Sequence, residues 1–139
     1  MSVDVFLDTN VLLYAASGPI SEDHKRGKAR QIIRSENFGI SAQVLQEFYV
    51  NAVRKVEVAM RPDQALAWMA GLELFPCVAV DRDLVKLGIS NSSRFRISCW
   101  DGTIIAAAQI LGAGLVYSED LNDGQLYDSV RVINPFREM

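Results

Sequence analysis

Val3-Asp4-Val5-Phe6-Leu7-Asp8-Thr9-Asn10-Val11-Leu12-Leu13 opens on a short β-branched and aromatic run that ends at an acid. Val3 to Leu7 has the nearly continuous apolar character of a strand covered on both faces. Asp8-Thr9-Asn10 then supplies side chains of the kind that cap a first helical turn, which predicts a helix beginning near Val11. A strand passing directly into a helix is the first half of a βαβ unit, and it leaves Asp8 at the C-terminal end of the strand.

The alternation continues outward from this segment. Ser21 to Ser35 reads as a charged surface helix in which Gly27 costs about 1 kcal/mol relative to alanine. Phe38 to Ile40 is a short strand, and Ser41 caps a helix whose Val44, Leu45, Phe48, Ala52, Val53 and Val56 form one apolar stripe. Pro62 suits the first turn of a further helix through Ala65, Leu66, Trp68, Met69 and Leu72, a stripe read as core. Cys77 to Val80 is expected as a buried strand, Asp81 to Leu87 as a helix capped by Asp81, and Ser90-Asn91-Ser92-Ser93-Arg94 as an exposed polar loop. Trp100 to Leu111 reads as a helix closed by Gly112-Ala113-Gly114, and Leu115 to Ser118 as a strand running into Glu119-Asp120. Val130 to Ile133 is the last strand, stopped by Pro135. The pattern predicts an α/β fold with a central parallel sheet and helices on both faces, in a single domain over residues 1–139.

Composition narrows the function. A chain of 139 residues that is 50% apolar and 22% charged suits one ordinary globular core. Its start lacks the basic region of a signal peptide, and the apolar stretch from Ile104 to Tyr117 is too short and too interrupted for the ~20 residues of a membrane span. A soluble, cytoplasmic chain is therefore expected. Cys77 and Cys99 have no partner at a zinc-ligand spacing and read as buried, reduced thiols. His24 lies among charges and reads as solvated, so histidine chemistry is nearly excluded. A net charge of -3 does not exclude a nucleic-acid partner, because a whole-chain sum hides local patches.

Acids at strand ends merit separate weighing, because ligands of open α/β sheets bind there. Asp8 reads equally well as a helix cap or as a metal ligand. Asp120, in Asp120-Leu121-Asn122-Asp123-Gly124, reads by itself as a turn residue. Asp101 precedes Ile104, Ile105 and Ala108 by three, four and seven positions, which puts its carboxylate on the apolar face of its helix. An unpaired charge there is costly, so Asp101 is either a ligand or part of a capping box with Ser98. Glu47 lies roughly 60° beyond the apolar stripe and reads as solvent-facing.

Together these residues resemble a PIN domain, the nuclease domain of VapC-type toxins, over nearly the whole chain. Phe6-Leu7-Asp8-Thr9-Asn10-Val11-Leu12 resembles the opening strand with the first acid. Ser41-Ala42-Gln43-Val44-Leu45-Gln46-Glu47-Phe48 resembles the second-acid helix, and Trp100-Asp101-Gly102-Thr103-Ile104-Ile105-Ala106-Ala107-Ala108 the third. Tyr117-Ser118-Glu119-Asp120-Leu121-Asn122-Asp123-Gly124 resembles the fourth-acid segment, but without the commoner paired aspartates before phenylalanine. Asp120 and Asp123 are thus both candidates there, with Asp120 nearer the strand end.

The resemblance implies a three-layer α/β/α fold and an endoribonuclease with a metal site of Asp8, Glu47, Asp101 and Asp120. Two carboxylates about 4 Å apart repel by roughly 4 kcal/mol at an effective dielectric of 20, so such a cluster must take up cations or protons. All-oxygen ligands suit Mg2+ or Mn2+. Thr9 and Ser118 are candidate hydroxyl supports, with turn and cap hydroxyls as the plain alternative. Lys25, Arg26, Lys28, Arg30, Arg94 and Arg96 are candidate phosphate contacts, with a solvated basic face as theirs. The resemblance further implies an RNA substrate, a cognate antitoxin and a homodimer. Two rivals are an RNA- or protein-binding module without activity and a phosphotransferase using Asp8 as nucleophile; the latter lacks a second aspartate at Asn10.

Overall fold

The computed structural model describes residues 2–17, 22–54 and 59–137. Its elements are β1 (Val5–Leu7), α1 (Thr9–Ala16), α2 (Asp23–Ser35), β2 (Phe38–Ser41), α3 (Ala42–Arg54) and α4 (Pro62–Gly71), then β3 (Cys77–Val78), α5 (Arg82–Phe95), α6 (Cys99–Leu111), β4 (Leu115–Tyr117), β5 (Leu126–Tyr127) and β6 (Val130–Ile133). Ser21 and Val56, the expected start of the second helix and end of the third helix's stripe, lie outside the described residues.

The strands form one sheet in the order β3-β2-β1-β4-β6-β5. All neighbours run parallel except the β5–β6 pair. The expected α/β architecture stands, with one correction: the sheet is mostly rather than wholly parallel, because a short antiparallel strand, not anticipated, folds back along β6. From β1 the chain steps outward through β2 to β3, then returns to place β4 on the other side of β1. Right-handed crossovers in opposite directions put α1–α4 and α5–α6 on opposite faces. The reversal makes the gap between the C-terminal ends of β1 and β4 the topological switch point of the sheet.

Burial follows this plan. Val5, Phe6, Leu7, Phe38, Ile40, Val116, Val130 and Val132 fill the sheet, covered by Val11, Leu12, Val44 and Phe48 and by Ile104, Ile105 and the alanines at 106 to 108. Local chemistry sets the helix ends as expected: Ser41 accepts the Val44 N–H at 3.2 Å, Asp81 that of Leu84 at 2.9 Å and Ser98 that of Asp101 at 3.0 Å. Gly112 closes α6 at φ 70°, the left-handed conformation that glycine adopts without steric cost.

Four expectations fail. The Cys77–Val80 strand is a two-residue strand with Val80 exposed, since β3 forms the edge of the sheet. Cys77 and Cys99 are both exposed, the first on that edge and the second on the first turn of α6. The polar stretch from Ser90 to Arg94 belongs to α5, because Asn91 is buried and donates to the Gly102 carbonyl at 3.2 Å and the Gln109 side chain at 3.0 Å. Leu66 is exposed, whereas Ala65 and Leu72 are buried and Trp68 and Met69 half-buried, as expected of that stripe. His24 is exposed, as expected.

Among the described residues no helix is long and apolar enough to cross a membrane. Gly27 has open space around its α-carbon, so Gly27→Ala should raise the urea midpoint by an amount equivalent to roughly 0.5–1 kcal/mol.

Candidate active site

Three consecutive residues beyond β1 engage three different neighbours. Asp8 is buried; its Oδ1 accepts the Thr9 N–H at 2.7 Å and its Oδ2 the Ser118 hydroxyl at 2.7 Å. The Thr9 hydroxyl donates to Glu47 Oε2 at 3.1 Å. The Asn10 amide donates to Asp120 Oδ2 at 3.2 Å, while its Oδ1 accepts the Glu119 N–H at 3.2 Å. Parallel pairing explains this convergence: Leu7 faces Tyr117, so Asp8 and Ser118 leave β1 and β4 side by side. The wholly buried Ser118 Oγ also accepts the N–H groups of Asp120 at 3.1 Å and Leu121 at 3.4 Å. One hydroxyl thus fixes both Asp8 and the turn that carries Asp120.

The remaining acids come from α3 and α6. Gln43 donates through Nε2 to Glu47 Oε1 at 2.9 Å and to the Trp100 carbonyl at 3.3 Å, which ties α3 to the start of α6. Glu47 is therefore half-buried between Gln43 and Thr9 rather than solvent-facing, a correction imposed by partners that helical periodicity cannot see. Asp101 is half-buried at the third position of α6. Burial pushes the Asp8 carboxyl up to about 6 against its bonds from Ser118 and Thr9, and the charges of Glu47 and Asp120 add to the rise. Asp101 is raised as well, first by burial and then by Asp120 and Glu47, against the bond to Ser98. The four acids singled out in the sequence thus share one electrostatic neighbourhood.

Asp123 departs from it. Its carboxylate accepts the Asn134 N–H at 2.7 Å and pairs with Arg137 at 2.7 Å, contacts that hold it below the usual carboxylate range. The geometry favours Asp120 of the two candidates. Thr9 and Ser118 both stand as hydroxyl partners of acids. Asn10, Gln43 and Trp100 were not singled out as site residues; the four-residue spacing of Gln43 and Glu47, one turn of a helix, was the available signal for Gln43.

Most of the basic candidates are engaged elsewhere. Lys25 pairs with Glu119 at 2.8 Å beside the Tyr14 hydroxyl, which donates to Glu119 at 2.6 Å and is pushed up to about 12 by burial and that carboxylate. Arg26 pairs with Asp23 at 3.2 Å and Arg94 with Asp128 at 2.7 Å, and Arg30 donates to the Ala15 carbonyl at 2.8 Å. Lys28 and Arg96 form no ion pair among the described residues. Lys28 borders a groove of about 1020 Å³ with His24, Glu36, Asp123 and Arg137; none of the four clustered acids lines it. Of the four acids Asp8 is buried, Glu47 and Asp101 are half-buried and Asp120 is exposed.

The donor set of carboxylates, hydroxyls and amide oxygens suits a hard divalent cation, with neither histidine nor thiolate in the hydrogen-bonded network. Among the described residues no three His, Cys, Asp or Glu already form an ion-holding group. Even so, the buried Gln43 Oε1 beside Glu47 accepts no hydrogen bond, and the charges of Glu47 and Asp120 raise both Asp8 and Asp101. Both features point to positive charge or donors supplied from outside the chain.

The family model of the PIN domain matches residues 5–125. No curated protein is significantly similar in sequence. Among solved structures, the chain is similar to VapC20 of Mycobacterium tuberculosis, described as a sarcin-ricin loop cleaving toxin, with 21% identity and a TM-score of 0.65 over 84% of this chain and 90% of that one. It is also similar to a toxin-antitoxin complex from Klebsiella pneumoniae, with 18% identity and a TM-score of 0.68 over 96% and 98% of the two chains. A DNA-bound VapBC from Salmonella typhimurium gives 17% identity and a TM-score of 0.63 over 94% and 96%.

Proposed function

The chain belongs to the PIN domain family, and on that footing we propose that it is a single-domain, divalent-metal-dependent endoribonuclease acting through Asp8, Glu47, Asp101 and Asp120. The observation that carries this is that Asp8 and Asp101, both raised first by burial, are each raised further by the charges of Glu47 and Asp120, so acids from four separate segments act on one another near the switch point. Magnesium or manganese, when bound, would supply Lewis-acid and water-activating chemistry for hydrolysis of a phosphodiester.

The chain's own residues position that chemistry. Ser118 and the Thr9 N–H each hold one oxygen of Asp8, so this carboxylate presents a fixed face. Thr9 holds Glu47 and Asn10 holds Asp120, so both orientations depend on the same three-residue segment. Above pH 6 Asp8 is mostly ionised, and the cluster becomes a strong attractor for cations. Of the six basic candidates, Lys28 and Arg96 form no ion pair among the described residues and so remain available to meet phosphates.

Similarity to toxins and toxin-antitoxin complexes supports the reading that this is the toxin of a type II pair held inactive by a cognate antitoxin, and we propose with it a cytoplasmic homodimer. The test is RNA cleavage with magnesium or manganese against a chelator. Cleavage should require the metal, fall on the order of a hundredfold or more in Asp101→Asn, and change only a few-fold in Asp123→Asn. Cutting that survives chelation refutes the metal site. Salt-sensitive RNA binding with no cutting under any metal condition establishes the binding-module alternative instead.

A further inference from the structure

Trp100 is 72% exposed, an unusual state for the side chain with the largest apolar surface. It sits in the first turn of α6, next to Asp101, and its carbonyl is held by the same Gln43 that holds Glu47. The turn leading to it is also distinctive. Arg96, Ser98 and Cys99 are exposed, and Arg96 takes a left-handed conformation at φ 57°, which is uncommon for a side chain of its size. Non-glycine residues persist there only where the surroundings fix them, and such residues gather at functional sites. The Arg96 guanidinium forms no ion pair among the described residues.

We propose that the 96–100 turn is a platform for single-stranded RNA, in which Trp100 stacks on an unpaired base, Arg96 meets a neighbouring phosphate, and the strand is thereby led to the acids. This rests on the nuclease reading and adds the form of substrate. The physical logic is that of single-strand binding generally: an aromatic face accepts any base, a cation tracks the backbone, and neither contact needs a groove. Arg96 and Trp100 are four residues apart, hence within about 14 Å even along an extended chain, so one short stretch of strand can touch both. A base inside a duplex has no free face to offer Trp100, so paired RNA is disfavoured. A protein partner is the competing occupant. Tryptophan and arginine serve protein interfaces too, so what favours the strand is position: Trp100 adjoins Asp101 and shares Gln43 with Glu47, and the uncompensated Arg96 cation suits a phosphate arriving at those acids.

The chain has two tryptophans, and Trp68 is half-buried on α4, so fluorescence can follow Trp100 in a Trp68→Phe background. The titration uses the full chain carrying Asp8→Asn to silence the proposed cutting, at low salt with magnesium present. A single-stranded RNA oligonucleotide should quench the emission, and its duplex should not. Trp100→Ala should weaken single-strand binding by roughly tenfold, Trp100→Phe should retain most of the affinity, and Arg96→Gln should flatten the salt dependence. Absence of single-strand quenching, equal quenching by duplex, or unchanged affinity in Trp100→Ala each overturns the platform. So does a Trp100→Ala protein that loses its oligomeric state, since Trp100 would then lie between protein copies. Binding is read without cutting, so failure of the nuclease reading appears separately, as RNA that binds to the wild type but stays intact.

Discussion

Asp8→Asn should abolish RNA cleavage and at the same time make the metal-free protein more stable. The activity loss is expected on the order of a thousandfold, because the central carboxylate of the cluster is replaced by a neutral amide that attracts no cation. The stability gain follows from burial. Burial pushes the folded carboxyl up to about 6 from its ordinary 3.8, so the native state holds this proton more tightly than the unfolded chain. The contribution is fully present below the unfolded value, declines as pH rises, and is lost above about 6. At pH 7 the ionised Asp8 thus costs on the order of 3 kcal/mol, and asparagine removes that cost while it can still accept the Thr9 N–H. Urea denaturation in chelator should show Asp8→Asn more stable than wild type at pH 7, with the gap closing towards pH 4. Added magnesium should stabilise the wild type and leave the variant unchanged. A variant less stable than wild type at pH 7 would mean that Asp8 is retained as a helix cap, the other reading that its position allows.

That double expectation also shows what the sequence could and could not reveal. The strand ending at Asp8 was legible because its apolar run and cap residues are local signals, and Asp101 because a charge on an apolar helix face is anomalous in itself. Asp120 and Glu47 carried no such mark. One lies in an ordinary turn and the other beyond a stripe, and their significance comes from Asn10 and Thr9, which reach them from positions 110 and 38 residues away in the chain. Family motifs supplied what local physics could not. The same nonlocality explains the misread polar stretch after Leu87: Asn91 looks like a loop residue until Gly102 and Gln109 are set against it. The cysteines are exposed despite apolar sequence neighbours because Cys77 lies on the edge strand and Cys99 opens α6, positions that only the fold assigns. Basic residues were the least legible, since whether Lys25 or Arg94 is free depends on Glu119 and Asp128, which only the fold brings near.

The packing of α5 against α6 yields the second large effect, which lies outside the acids altogether. Gly102 directly follows Asp101, and a β-carbon there would collide with the Gly88 carbonyl oxygen and come within 3.0 Å of the Ser92 nitrogen. Both are backbone atoms and cannot rotate away. Gly88 in turn faces Thr103, so the two helices meet through reciprocal glycines at a distance that no side chain tolerates. Gly102→Ala gains about 1 kcal/mol of helix propensity, yet the forced separation should outweigh it and leave a net loss of about 1–3 kcal/mol. Gly102→Val adds two further methyl groups and a poorer helix former, and should lose more than about 3 kcal/mol, a large share of the stability of a chain this size. The two urea midpoints should therefore fall in the order alanine, then valine, opposite in sign to Gly27→Ala. Equal stability of Gly102→Ala and wild type would mean that the helices are not in close contact. Because α6 carries Asp101 at the adjacent position, the alanine variant should also lose cleavage activity under conditions where it remains folded. A helix displaced by even a fraction of an ångström moves one acid relative to the other three, and that dependence of the site on a glycine contact is what the paired measurement of stability and activity would expose.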